Sequence, residues 1–161
     1  MKCFQCGGRM KSARENVRYE ACGLPGITLL NVKVSRCAAC GEFEVAIPNV
    51  EDLHRRIAQA VIHKPARLTP AEVRFLRKYL GWSGVDFATH AGVAPETVSR
   101  WEQGGIAMGP TAERFLRLCV ATREPVADYS LKVLKEIVSG TPQPVRLGAR
   151  IRQKKWQVRA A

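Results

Sequence analysis

A chain of 161 residues, 46% hydrophobic and 25% charged, holds one ordinary domain or two small ones, which excludes a large multi-lobed enzyme and wholesale disorder. No apolar run approaches the roughly 20 residues of a bilayer span, and the opening Met1-Lys2-Cys3-Phe4-Gln5-Cys6 lacks a signal-peptide core. A soluble, cytoplasmic protein without a membrane partner is expected. The net charge of +12 is uneven: residues 1–64 contribute +4, residues 65–140 +2 and residues 141–161 +6. Such an excess draws a polyanion, because each phosphate neutralised releases a condensed counterion. An anionic membrane or an acidic protein would feel the same attraction.

The first element read along the chain is Cys3-Phe4-Gln5-Cys6-Gly7, repeated as Cys37-Ala38-Ala39-Cys40-Gly41. A two-residue spacer lets one tight turn aim both thiolates at one ion, and the glycine that follows permits a positive φ. Two such knuckles make a four-thiolate site for one structural Zn²⁺, whose net −2 would lower the chain's charge from +12 to about +10. A redox dithiol or an iron centre is a weaker reading of the same cysteines. Cys22 and Cys119 read as buried apolar fillers, and His54, His63 and His90 show no ligand spacing among themselves.

Between the knuckles the period is two. Val17, Tyr19 and Ala21 alternate with Arg18, Glu20 and Cys22, Thr28, Leu30, Val32 and Val34 alternate with Leu29, Asn31 and Lys33, and Leu24-Pro25-Gly26 between them is a turn. A third strand is predicted over 42–47. This predicts a small antiparallel sheet whose folding depends on its metal. From Asn49 the period lengthens: an Asn-capped helix is predicted over 50–62, with Val50, Leu53, Ile57 and Val61 as its apolar stripe. His63-Lys64-Pro65-Ala66-Arg67 then reads as a short mobile linker. The predicted domains are 1–64 (zinc-binding), 65–140 (helical) and 141–161 (basic tail).

The helical part starts with a capping box, Thr69-Pro70-Ala71-Glu72. Ser83 caps a second helix over 84–91, Gly92-Val93 turns the chain, and a third helix is predicted over 95–103, stopped by Gly104-Gly105. Further helices are predicted around Phe115, Leu118 and Cys119 and over about 128–138, with Leu131, Leu134 and Val138. Two short helices flanking one glycine turn form a helix-turn-helix. Phe87-Ala88, Gly92-Val93 and Thr97-Val98-Ser99-Arg100-Trp101-Glu102-Gln103-Gly104 resemble the lambda-repressor-like (Xre-type) DNA-binding family. That resemblance implies that Val98 and Trp101 face the core and that Thr97, Ser99 and Arg100 face the major groove. It also implies that two copies pair on a palindromic operator in double-stranded DNA.

Arg100 is the best base reader, since its planar fork can grip guanine O6 and N7 together; Glu96 beside it would accept from cytosine N4. Ser83 and its helix N-terminus are a candidate phosphate contact. Glu102 is expected to pair with Arg67 or Arg74, while Arg74, Arg77 and Lys78 are ambiguous between phosphate contacts and solvent. Knuckles, small sheet and helix-turn-helix in this order resemble the MqsA antitoxins with their YgiT-type zinc finger. The resemblance implies zinc on Cys3, Cys6, Cys37 and Cys40, a homodimer, a toxin protein bound by the zinc domain, and repression of the antitoxin's own operon. The expected class is α+β: a zinc-bound antiparallel sheet with a helix, then an all-α lambda-repressor-like domain. Alternatives are a solitary zinc-containing regulator and a zinc-ribbon adaptor for RNA or polymerase. No nucleophile, base and oxyanion-donor set converges, so an enzyme is not expected. The tail, with Arg146, Arg150, Arg152, Lys154, Lys155 and Arg159, reads as disordered, as a DNA-gripping arm, or as a partner-docking segment.

Overall fold

The computed structural model describes residues 1–123 and 141–161. Among them run strands β1 (Met10–Arg18), β2 (Ile27–Cys37) and β3 (Phe43–Val45), then helices α1 (Val50–His63), α2 (Pro70–Tyr79), α3 (Gly84–Ala91), α4 (Pro95–Gln103) and α5 (Pro110–Arg123). Strands β4 (Leu147–Arg152) and β5 (Lys155–Ala160) follow, so the chain is α+β. The helix expected over 128–138 lies outside the described residues.

β2 is the sheet's axis. β1 lies antiparallel along one side of it, while the other side is shared between β4, parallel to Ile27–Leu29, and β3, antiparallel to Val34–Arg36. Strict alternation would set Thr28 and Leu30 on the face of Val32 and Val34. Instead Ile27 and Leu29 are buried with Val32 and Val34. The reason is a bulge: the pairing of β1 with β2 slips between Glu15 and Val17, and Asn31 takes a left-handed φ of 57°. Asn16 Oδ1 accepts the freed Asn31 N–H at 3.0 Å, and Arg14 Nη1 donates to the Asn31 carbonyl. β1 also starts earlier than its alternation predicts and stops at Arg18; Ala21 and Cys22 lie in a turn closed by the Gly23 N–H on the Glu20 carbonyl.

The largest departure is the segment after Gly140. The expected basic tail is a hairpin that completes the sheet. Leu147, Ala149 and Trp156 are buried, while Arg150, Arg152, Lys155 and Arg159 stay exposed, so a period of two was present under the charge. Gln153 and Lys154 both have positive φ, 49° and 63°, as a two-residue hairpin loop between right-twisted strands demands. Close approach requires glycine at 26 and favours it at 148. A Cβ on Gly26 would stand 2.3 Å from the Val145 carbonyl oxygen, and one on Gly148 would stand 2.8 Å from Leu30 Cδ1. Trp156 docks the hairpin on α1: its indole N–H donates to the Pro48 carbonyl and its backbone N–H to Asp52 Oδ2, both at 2.8 Å.

α1 begins as predicted, with Asn49 Oδ1 accepting the Asp52 N–H, and buries Leu53, Ile57, Ala58, Val61 and Ile62; Val50 is left outside. The stretch 63–67 is no mobile linker. Arg117, fully buried on α5, donates to the carbonyls of Ile62, Lys64 and Ala66 and to Glu113 Oε1, all within 2.9 Å. Lys64 pairs with buried Glu72, and Arg67 with buried Glu113, each at 2.6 Å. Paired, hydrogen-bonded charges are the form in which burial of ions is tolerated, so the junction is fixed. Beyond it, Thr69 and Ser83 close capping boxes with Glu72 and Asp86, and Gly92 and Gly104 end α3 and α4 in left-handed caps. Phe87, Val98, Trp101 and Leu116 share one core with the sheet. On α5 the buried stripe is Leu116, Val120 and Ala121; Leu118 is exposed and Phe115 only half-buried.

Candidate functional site

The two knuckles are built alike. In each, the N–H of the glycine bonds the carbonyl of the first cysteine, Gly7 to Cys3 at 2.9 Å and Gly41 to Cys37 at 3.1 Å. The first cysteine's N–H in turn reaches the carbonyl five residues on, Cys3 to Gly8 and Cys37 to Glu42, at 2.8 Å. Both glycines have φ above +70°, which a Cβ would resist. The two turns face each other because β1 and β2 pair Met10 with Cys37.

The four sulfurs lie within 4.8 Å of one another, with Cys3–Cys40 at 3.6 Å and Cys6–Cys37 at 3.5 Å, and none is in a disulfide. A tetrahedral ion with metal–sulfur bonds of about 2.3 Å needs sulfur–sulfur edges of about 3.8 Å, so the cluster can hold one metal ion. Gly8 packs closely against the cluster: a Cβ on it would sit 3.2 Å from the sulfurs of both Cys6 and Cys37 and would press on them. The backbone N–H groups of Cys40 and Ala39 draw the Cys37 thiol down to about 6. The Glu42 N–H favours the Cys40 thiolate too, but the neighbouring sulfurs of Cys6, Cys3 and Cys37, together with burial, hold Cys40 up at about 12. One thiolate forms easily, whereas several at this spacing call for a cation. Cys22 and Cys119 stand apart, half-buried, and burial raises both thiols.

The second set of predicted residues lies on α3 and α4. At 100° per residue, Val98 and Trp101 point into the core, where both are buried. Glu96, Ser99 and Arg100 are exposed on the opposite side, and Thr97 falls on the border, half-buried. Among the described residues nothing pairs with the Arg100 guanidinium. Gln103 belongs to the same face, its Nε2 donating to Ser99 Oγ at 3.1 Å. Its place four residues after Ser99 was the available signal for it, and the sequence reading omitted it.

Ser83 is the N-cap of α3. Its hydroxyl accepts the Asp86 N–H at 3.1 Å and its own N–H donates to Asp86 Oδ2 at 2.7 Å; these contacts hold the Asp86 carboxyl below its usual range. The start of α3 therefore carries a carboxylate, which would repel a phosphate. Glu102 binds Arg77 Nη2 at 2.9 Å and Arg74 Nε at 3.3 Å; Arg67, the other expected partner, goes to Glu113. Of the ambiguous trio on α2, Lys78 alone lacks a carboxylate among the described residues. No protein family matches the chain, and no curated protein or solved structure does so significantly.

Proposed function

We propose that the protein is a sequence-specific DNA-binding transcriptional repressor in which α3 and α4 act as a lambda-repressor-like helix-turn-helix. The observation that carries this reading is Arg100: a guanidinium unpaired among the described residues, on the outer side of a short helix, flanked by Glu96, Ser99 and Gln103, with the helix's other side seated in the core. A side chain so placed enters a major groove without disturbing the fold, and the fork of arginine matches guanine O6 and N7. Ser99, Thr97 and Glu96 read neighbouring base edges, while Ser83 serves as a helix cap. A single small reading head holds a half-site weakly, so the protein works as a homodimer on a palindromic operator in double-stranded DNA.

The metal is Zn²⁺, one per chain, because four soft thiolates in tetrahedral reach suit it and leave no open position for chemistry. It is structural. In the fuller form of this reading the protein is the antitoxin of a toxin–antitoxin operon and its metal end takes the toxin. Phe4, inside the first knuckle, is 104% exposed, and Met1 and Phe43 are exposed as well, a set of apolar side chains that suits a protein partner.

Selection of a binding site from random duplexes, followed by titration of Arg100→Ala, tests the DNA reading. The variant should lose about 1–3 kcal/mol and relax preference at one base pair. Unchanged affinity and preference would remove α4 as the reading helix. For the toxin, co-expression with the product of the neighbouring gene should give a stable complex that Phe4→Asp disrupts.

A further inference from the structure

One face of the sheet is core, through Ile27, Leu29, Leu147, Ala149 and Trp156. The other face is open. Alternation along β4 and β5 places Arg150 and Arg152 on it, with Gln157, Lys155 and Arg159 as cross-strand neighbours: Arg150 pairs with Gln157, Arg152 with Lys155 and Gly148 with Arg159. Arg14, Asn16, Asn31, Arg150 and Arg152 line a cleft of about 400 Å³ on this side. A second cleft of about 420 Å³ shares Arg150 and Arg152 and adds Thr28, Gln157 and Arg159.

No Asp or Glu side chain lines either cleft. Among the described residues no ion pair engages Arg14, Arg150, Arg152 or Arg159. The buried and half-buried carboxylates are taken up elsewhere: Glu72 by Lys64, Glu113 by Arg67 and Arg117, Glu102 by Arg74 and Arg77, Glu15 by Arg36. Four arginines gathered without an acid repel one another, so the face is complementary only to added negative charge. The scaffold beneath them is fixed. Asn31 in its left-handed bulge holds one Arg14 nitrogen by its carbonyl, and the two-residue turn at Gln153–Lys154 sets the stagger of the hairpin arginines. Guanidinium groups offer paired donors that fit phosphate oxygens, and Asn16, Thr28 and Gln157 supply neutral donors between them.

We infer that this sheet face is a second nucleic-acid surface, which grips the phosphate backbone of duplex DNA without reading bases. The inference rests on the DNA-binding reading and extends it to a separate site. α1 packs between the sheet and α2 and α5, and α4 packs on α2 and α3 rather than on the sheet. Phosphate contacts at the sheet would therefore come from residues and elements separate from those of α4.

The test uses the full-length, zinc-loaded protein and a mixed-sequence duplex, with affinity measured across salt concentrations. Each phosphate contact contributes about 0.9 to the slope of log affinity against log salt, so Arg150→Gln/Arg152→Gln/Arg159→Gln should flatten it by about 2–3. All three side chains are exposed, and the melting temperature should stay put; if it falls, the single variants, each worth about 0.9, replace the triple. An unchanged slope overturns the inference. So does a triple variant that keeps its duplex affinity but loses binding to phosphatidylserine vesicles, or a wild-type protein that prefers single-stranded RNA tenfold. Arg100→Ala is measured in parallel. Loss of base preference there with a silent triple variant leaves the α4 reading standing and removes the sheet face, and the reverse pattern does the opposite.

Discussion

At its start, Ile27–Leu29, β2 lies between β1 and β4 and shares a buried cluster with Leu147, Ala149 and Trp156. At its end, Val34–Cys37, it lies between β1, whose Lys11, Ser12, Ala13 and Arg14 are all exposed, and a β3 of three residues, then runs into the sulfur cluster. Apolar burial thus runs along the strand as far as Val34, and beyond it the strand ends in a cysteine cluster that could hold a metal ion. Where the chain returns a hairpin and an indole, area removed from water supports the strand; at the cysteine end a bound ion would add ligand bonds to a smaller apolar contact.

That contrast is open to direct attack. If the cysteine cluster holds the proposed zinc, its chelation, or Cys40→Ser, should have the largest effect, since structural zinc in small modules is worth on the order of 10 kcal/mol. Amides of residues 1–15 and 35–46 should lose exchange protection while those of α1 to α5 keep theirs. Uniform loss across the helices would mean the two ends are one unit. Trp156→Ala strikes the other end and should cost about 3–5 kcal/mol in denaturant unfolding, with metal content unchanged. Gly26→Ala drives a methyl into the Val145 carbonyl, a backbone atom that cannot swing aside, and should cost about 1–3 kcal/mol, whereas at Gly148 the Leu30 side chain can turn away and Gly148→Ala should cost less. The smallest effect is acid sensitivity at His54, whose Nε2 lies 2.9 Å from the Tyr19 hydroxyl and whose imidazole burial holds below its usual 6.5. The unfolded chain takes up that proton first, so the contribution is complete above about pH 6.5 and declines as pH falls through the folded value. His54→Gln should flatten that limb of a stability-against-pH curve.

Local chemistry was legible in the sequence where a single residue type does a single job. Asn49, Thr69 and Ser83 cap helices, Pro70 and Pro95 open them, Gly92 and Gly104 close them, and the glycines after Cys6 and Cys40 turn the knuckles. The four cysteines could be grouped because spacing carries their geometry. What escaped depends on partners far away in the chain. The bulge at Asn31 is set by pairing with β1, so an uninterrupted alternation shows no sign of it. Gln153-Lys154 lacks the Asn-Gly signature of its turn, and six cations masked the buried Leu147, Ala149 and Trp156 between them. Arg117 carries no local sign of its burial beyond Glu113 four residues before it; the carbonyls of Ile62, Lys64 and Ala66 that it also binds lie more than fifty positions earlier.

The parallel pairing of β2 with β4 has a temporal side. Ile27 meets Leu147, a separation of 120 residues. At the usual pace of about 5–20 residues per second, a ribosome needs roughly 6–24 s after making β2 to deliver its neighbour. Throughout that interval the rim of β2 at Ile27–Leu29 presents unsatisfied amides and carbonyls to whatever else is being made nearby. Translation speed and chaperone cover over that window should therefore govern how much of this protein is recovered in soluble form.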